Sequence, residues 1–287
     1  MIAKMLQGRW VLRTMMILAM VFLYAPIISI IVYSFNESQL VTVWSRFSTK
    51  WYAALVQDEQ ILRAAKISFE VAMLSATGAL IVGTLSGYIL SRFTNFRGRM
   101  LFSGMVMAPL VMPEIIMGIS MLLLFVGMEQ LFGWPQRDIQ TIVIAHITFS
   151  TAFVAVVVQS RLAGIDVSVE EAAMDLGARP VQVFFLITLP LMVPALVSGW
   201  LLAFSLSLDD LVITAFVSGP GSTTLPMVIF SKVRLGLNPE INALATIIIL
   251  LIGLVSGITA FKTAFKSLGP KEVPEPDPVP VAAPSQA

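Results

Sequence analysis

Carboxylates embedded in apolar sequence are the residues of this chain best placed to do chemistry. Glu114 follows Pro113 inside one apolar block, Asp209 and Asp210 close a second, and Glu70 stands near the start of a third. None of these three blocks contains a Lys or Arg. A charge at the centre of a bilayer costs at least roughly 2.5–3.5 kcal/mol on insertion scales, so an ionisable residue there is a functional candidate by default. The chemistry that fits is recognition of a cation. A small dication must shed water to cross a membrane, and carboxylates along its route replace that hydration. Glu114, Asp209 and Asp210 are therefore expected to face a substrate path. The competing reading of the aspartate pair is a solvated membrane boundary, or pairing with Lys232 or Arg234. For Glu70, interfacial solvation is the expectation. Trp200 and Phe204, four residues apart, share a helical face that suits either cation–π contact or bundle packing.

Other chemistries find no residues. Cysteine is absent, and the single histidine, His146, cannot form a multi-histidine metal site. His146 has no matched nucleophile and is expected to be a hydrogen-bonded packing residue. No GxxxxGK[ST] loop occurs, so the backbone cradle and lysine for nucleotide phosphates are missing. No cofactor or metal is expected on this chain. A formal net charge of +1 without a basic stripe predicts no nucleic-acid partner.

The elements that position these carboxylates are membrane helices. Of the 287 residues, 57% are hydrophobic and 12% charged, and the mean hydropathy is +0.89. Soluble domains carry about 25% charged residues. A bilayer core needs roughly 20 apolar residues in a helix. Such blocks fall at about 11–35, 67–90, 100–128, 141–159, 184–208 and 243–261. The expectation is an all-α integral membrane protein with six spans over 11–266. The first block is too long for a signal core and reads as an uncleaved anchor. The third contains Pro109 and Pro113, which predicts a kinked or broken helix. Eleven of the 18 Lys and Arg residues fall on one side, including Arg92, Arg97 and Arg99 in one short turn. The positive-inside rule makes that side cytoplasmic, together with residues 1–10 and a Pro-rich tail, 267–287, expected to be disordered.

One cytoplasmic stretch, 166–190, is locally well specified: DVSVEEAAMDLGARPVQVFFLITLP. Ser168 with Glu171 predicts a capping box, Gly177 a left-handed terminus, and Pro180 a stop. The product is a short helix, a turn and a second helix leading into span five. Ala172, Ala173, Met174 and Leu176 form a small-sided apolar face, and Glu170, Glu171 and Asp175 an acidic one.

The same stretch carries a resemblance. Glu171-Ala172-Ala173, Gly177, and after nine residues Ile187, Leu189 and Pro190 match the EAA signature of ABC importer permeases. Further segments resemble permeases of the polyamine type, nearest the second permease subunit of the putrescine systems. They include FLYAPI at 22–27, VYSFN at 32–36, LVTVW at 40–44, APLVMPE at 108–114, SGWLLAFSLSLDDLVI at 198–213, SGPGSTTLPM at 218–227 and NPEINALAT at 238–246. The tail past Lys266 departs from the pattern.

The resemblance implies a type I ABC importer permease fold, with a coupling helix in a loop of about 161–183. It implies that Glu170, Glu171, Ala172, Ala173, Asp175 and Gly177 dock a separate ATPase. The implied partners are a second homologous permease, two ATPase copies that use ATP and magnesium, and a periplasmic polyamine-binding protein. The implied place is the bacterial inner membrane. Ser218, Gly219, Pro220 and Gly221, a shaped outer turn, are expected to contact the binding protein or seal an outer gate. The function expected is a non-catalytic permease subunit that moves putrescine, spermidine or another small cation by alternating access. An ion-gradient-driven transporter, a membrane enzyme and a scaffold are the other classes. Acidic residues suit the gradient-driven transporter, but it would leave the coupling signature without a purpose.

Overall fold

The computed structural model describes residues 2–40, 43–236 and 239–267. The expected disordered tail beyond Ser267, residues 41–42 of the LVTVW segment, and Asn238 lie outside them.

The regular elements of the described chain are all helical. A long first helix, α1 (Ile2–Ser34), leads to a looped segment and a short helix, α2 (Lys50–Gln57). Next come α3 (Glu59–Arg92), α4 (Arg99–Val111), α5 (Glu114–Phe132) and α6 (Ile139–Ala163). A short helix, α7 (Val167–Asp175), precedes α8 (Pro180–Val183) and α9 (Leu189–Leu208), which are joined by a π-helical turn, Phe184–Thr188. The described residues close with α10 (Val212–Val217), α11 (Leu225–Leu235) and α12 (Pro239–Ser267).

Among the described residues, five stretches are long and apolar enough to cross a membrane: Trp10–Ser34, Glu59–Arg92, Glu114–Phe132, Ile139–Ala163 and Pro180–Leu208. The single span expected at 100–128 is two helices. Proline restricts the residue before it to extended backbone, and Met112 adopts φ −81° and ψ 135°. Pro113 then opens α5 without an amide hydrogen to donate, and the helix breaks. The second span starts earlier than the apolar block suggests. α3 begins at Glu59, capped by Asp58, whose carboxylate accepts the Ile61 amide at 3.0 Å. Arg63 and Lys66, which precede the apolar block at 67–90, are therefore helical.

The core is α3 packed on α6 and α9. Close approach depends on small residues, as is usual between membrane helices. A Cβ on Gly83 would sit 2.6 Å from Val154 Cβ and 3.0 Å from the Thr151 carbonyl, so this glycine is required by contact. Ala72, Ala76 and Ala79 continue the same buried stripe. α10 tucks against α5 and α6, and α1 lies against α12 with its apolar surface uncovered.

The π-turn has a local cause. Pro190 has no amide hydrogen for the Leu186 carbonyl, and its ring crowds that carbonyl in a regular α-helix. The helix widens instead, and the Leu189 amide donates to Phe184 five residues back.

Candidate functional site

The short helix α7 projects from the end of the bundle that holds Arg92. Its start differs from expectation. The helix begins at Val167, and Asp166 rather than Ser168 caps it, accepting the Ser168 amide at 3.0 Å. That hydrogen bond holds the Asp166 carboxyl below its usual pKa. Gly177 does adopt the left-handed conformation, with φ 90°, and donates to Met174. Pro180 opens α8.

The acidic face of α7 needs a correction. Glu171 and Asp175 are exposed, as are Ala172 and Met174. Glu170 points inward. Its side chain is 8% exposed and pairs with Arg92 at 2.9 Å. Thr188, in the π-turn, donates to the same carboxylate at 3.0 Å. The third carboxylate of the expected docking face is thus turned into the bundle, because a partly buried arginine is there to receive it.

A second polar cluster lies inside the bundle. His146 on α6 is buried, with Nδ1 2.7 Å from Ser207 Oγ. Its Nε2 lies 3.1 Å from Asp210 Oδ2 and 3.0 Å from Thr214 Oγ1. Thr214 donates its hydroxyl to Asp210, so the acceptors face Nε2 and the proton belongs on that nitrogen. Ser75 of α3 extends the chain by donating to Ser207 at 2.8 Å. Asp210 also accepts the amides of Ile213 and Thr214, and so caps the start of α10. The network therefore ties α3, α6, α9 and α10 at the point where α9 ends.

The path candidates are spread across this frame. Asp209 ends α9 and is exposed, while the Asp210 side chain is only 5% exposed and is committed to His146. The alternative pairing with Lys232 is not formed. Lys232 instead joins Asp58 and Glu240, and Asp210 finds its partner in His146. Glu114 occupies the first turn of α5 at the proline break and is exposed on the single chain. Glu70 is half exposed and lies 3.7 Å from Lys66 one turn before it. Trp200 and Phe204 stack at 5.3 Å with rings 14° apart. Trp200 donates to Thr77 at 3.2 Å, and Phe204 meets Phe69 edge-on.

Ser218–Gly221 forms a closed turn. Gly219 donates to Ser222 Oγ at 2.8 Å, Gly221 has φ 83°, and Gly219 packs on the Arg137 carbonyl, where a Cβ would overlap. Pro220 and Gly221 are exposed at its tip.

Sequence reasoning missed Arg92, Thr188, Ser75, Ser207 and Thr214 as members of polar networks. In the sequence Arg92 reads only as a topological charge. The hydroxyls stand among apolar neighbours within spans, and that position was the available signal. Among the described residues no group of His, Asp and Glu could hold a metal ion.

Residues 79–263 match the family profile described as "Binding-protein-dependent transport system inner membrane component". The chain is 56% identical over 241 residues to the "Putrescine transport system permease protein PotI" of Escherichia coli (strain K12), covering 84% of this chain and 86% of that one. It is 45% identical to the "Spermidine/putrescine transport system permease protein PotC" of the same organism, covering 80% and 85%. The fold is also similar to that of a chain in a solved bacterial alginate ABC transporter in complex with an alginate pentasaccharide-bound periplasmic protein. There the TM-score is 0.69 at 18% identity, over 88% of this chain and 93% of the other.

Proposed function

The chain belongs to the family of inner membrane components of binding-protein-dependent transport systems, and from that premise we propose that it carries putrescine inward as one half of an ATP-driven channel. It is a non-catalytic, multi-pass permease subunit of the inner membrane. The observation that carries the mechanism is α7: a short helix presenting exposed Glu171, Ala172 and Asp175 outside the bundle while Glu170 anchors it from within.

On this reading Glu171, Ala172, Ala173, Asp175 and Gly177 seat in a groove of a separate ATPase, which uses ATP and magnesium. Two ATPase copies, a second permease of the same fold and a periplasmic polyamine-binding protein complete the assembly. α12, a 29-residue helix, supplies a sixth span, and both termini are cytoplasmic. Closure of the ATPases pushes α7, and the paired bundles rock between outward- and inward-facing states. Glu114 and Asp209 attract the amines along the path, with Trp200 and Phe204 beside it, and Asp210, turned to His146, adds its charge from inside the bundle. Ser218, Gly219, Pro220 and Gly221 meet the binding protein or seal the outer gate.

Putrescine is favoured over spermidine because the relative named for putrescine alone is more similar, at 56% against 45% identity. The test is uptake in liposomes containing all partner chains, with a panel of diamines and triamines. ATP-dependent uptake of putrescine ahead of spermidine is expected. Uptake that follows an ion gradient and ignores ATP would overturn the mechanism.

A further inference from the structure

α7 lacks an apolar anchor. Its only buried residue is Glu170. The helix is bounded by Gly164 on one side and by the left-handed Gly177 on the other, so the backbone at its ends offers little stiffness. What holds it to the bundle is a cluster of charge-assisted hydrogen bonds. Arg92 Nε lies 3.2 and 3.1 Å from the two Glu170 carboxylate oxygens, and Nη2 lies 2.9 Å from Oε1. Arg92 Nη1 donates to the Leu162 carbonyl at the end of α6, and Thr188 donates to Oε1 from the π-turn before α9. One turn before Arg92 on α3 and at the start of the π-turn, Tyr88 and Phe184 meet edge to face with centroids 4.8 Å apart.

We propose that Arg92, Glu170 and Thr188 form a coupling latch that makes α7 move as one body with α3 and the start of α9. This deepens the importer reading and rests on it. A push delivered to the exposed face of α7 reaches the bundle through a planar guanidinium–carboxylate pair, whose geometry resists rotation better than a single hydrogen bond does. The π-turn has a part in this arrangement, since the hydroxyl that reaches Glu170 is carried on it. These are positioning residues. They touch neither substrate nor nucleotide.

The test uses the complete transporter in liposomes and measures ATP hydrolysed per putrescine taken up. A residue that only stabilises the fold lowers the amount of assembled complex, so hydrolysis and uptake fall together and their ratio holds. A broken latch uncouples them. In Glu170→Gln the ratio is expected to rise by about fivefold or more, the lower range of measured coupling effects. Thr188→Val, which keeps the shape and removes one hydrogen bond, is expected to raise it by about threefold. If Glu170→Gln fails to assemble, Thr188→Val decides alone. An unchanged ratio in assembled complexes overturns the latch. Failure of the unmodified complex to take up substrate with ATP overturns the importer reading instead, and the two failures are told apart by that reference.

Discussion

His146 and Asp210 stand 64 positions apart in sequence and meet inside the helix bundle, with Nε2 3.1 Å from Oδ2. The imidazole is 1% exposed and the carboxylate 5%. A carboxylate so enclosed is tolerated because four donors reach it: His146 and the Thr214 hydroxyl and amide on Oδ2, and the Ile213 amide on Oδ1. The pair thereby fixes where α9 stops and α10 starts.

Removing the imidazole leaves that charge unpaired. His146→Leu should destabilise the purified protein by about 1.5–3 kcal/mol, the usual worth of a hydrogen bond to a buried charged group. The double variant with Asp210→Asn should recover much of the loss. Thermal unfolding in detergent checks both, and a loss below about 1 kcal/mol in the single variant contradicts the role assigned to the pair.

Neutralising the path carboxylates tests recognition. Glu114→Gln and Asp209→Asn are expected to lower putrescine uptake while assembly is unchanged, with the combined variant lowest. Asp210→Asn should lower both uptake and stability, because Asp210 also holds α10. Wild-type uptake in all three variants and in their combination would remove the acidic path.

The face of α7 tests docking. Ala172 is exposed and small, so Ala172→Trp should block seating in the ATPase groove without disturbing the bundle. The expected result is normal membrane insertion with loss of the co-purifying ATPase. Retention of a stoichiometric ATPase would place the contact elsewhere.

Helix contact makes a paired prediction. Gly83→Ala drives a methyl group into Val154 and towards the Thr151 carbonyl and should cost about 1–3 kcal/mol. Gly127→Ala meets nothing within 4 Å and should be neutral or stabilising by about 0.5–1 kcal/mol, since alanine favours helix. Equal effects in thermal unfolding would contradict the packing of α3 on α6.

At the opposite end of the bundle from α7, Lys232 joins Asp58 and Glu240. Burial raises the Asp58 pKa, but the Lys232 hydrogen bond, the Ile61 amide and the Lys232 charge outweigh it, and the net shift is downward. Burial likewise lowers Lys232, and its two carboxylate partners more than reverse this. A depressed carboxylate contributes stability above its unfolded value of about 3.9 and loses it as pH falls through the folded value. A raised lysine contributes fully below about 10.4 and loses its share as pH rises through the folded value. Stability should therefore fall on the acid side below about pH 4, and again above about pH 10. Lys232→Met should flatten both limbs in a pH series of unfolding temperatures. Unchanged limbs would show that the triad contributes nothing.

Long apolar blocks, basic turns and the 166–190 motif made the helical membrane class, the break at Pro113 and the short helix before α9 legible in the sequence. These depend on local rules. Twenty apolar residues need lipid, a proline lacks a hydrogen, and a glycine can turn left-handed. What no local rule supplies is which polar group meets which. Glu170, Glu171 and Asp175 look alike along the chain, yet one is buried because α3 delivers Arg92 beside it while the others face outward. Asp209 and Asp210 are neighbours, yet only Asp210 turns toward a histidine on another helix. Tertiary packing decided these fates, since burying a charge is affordable only where a partner from a distant part of the sequence is already held in place.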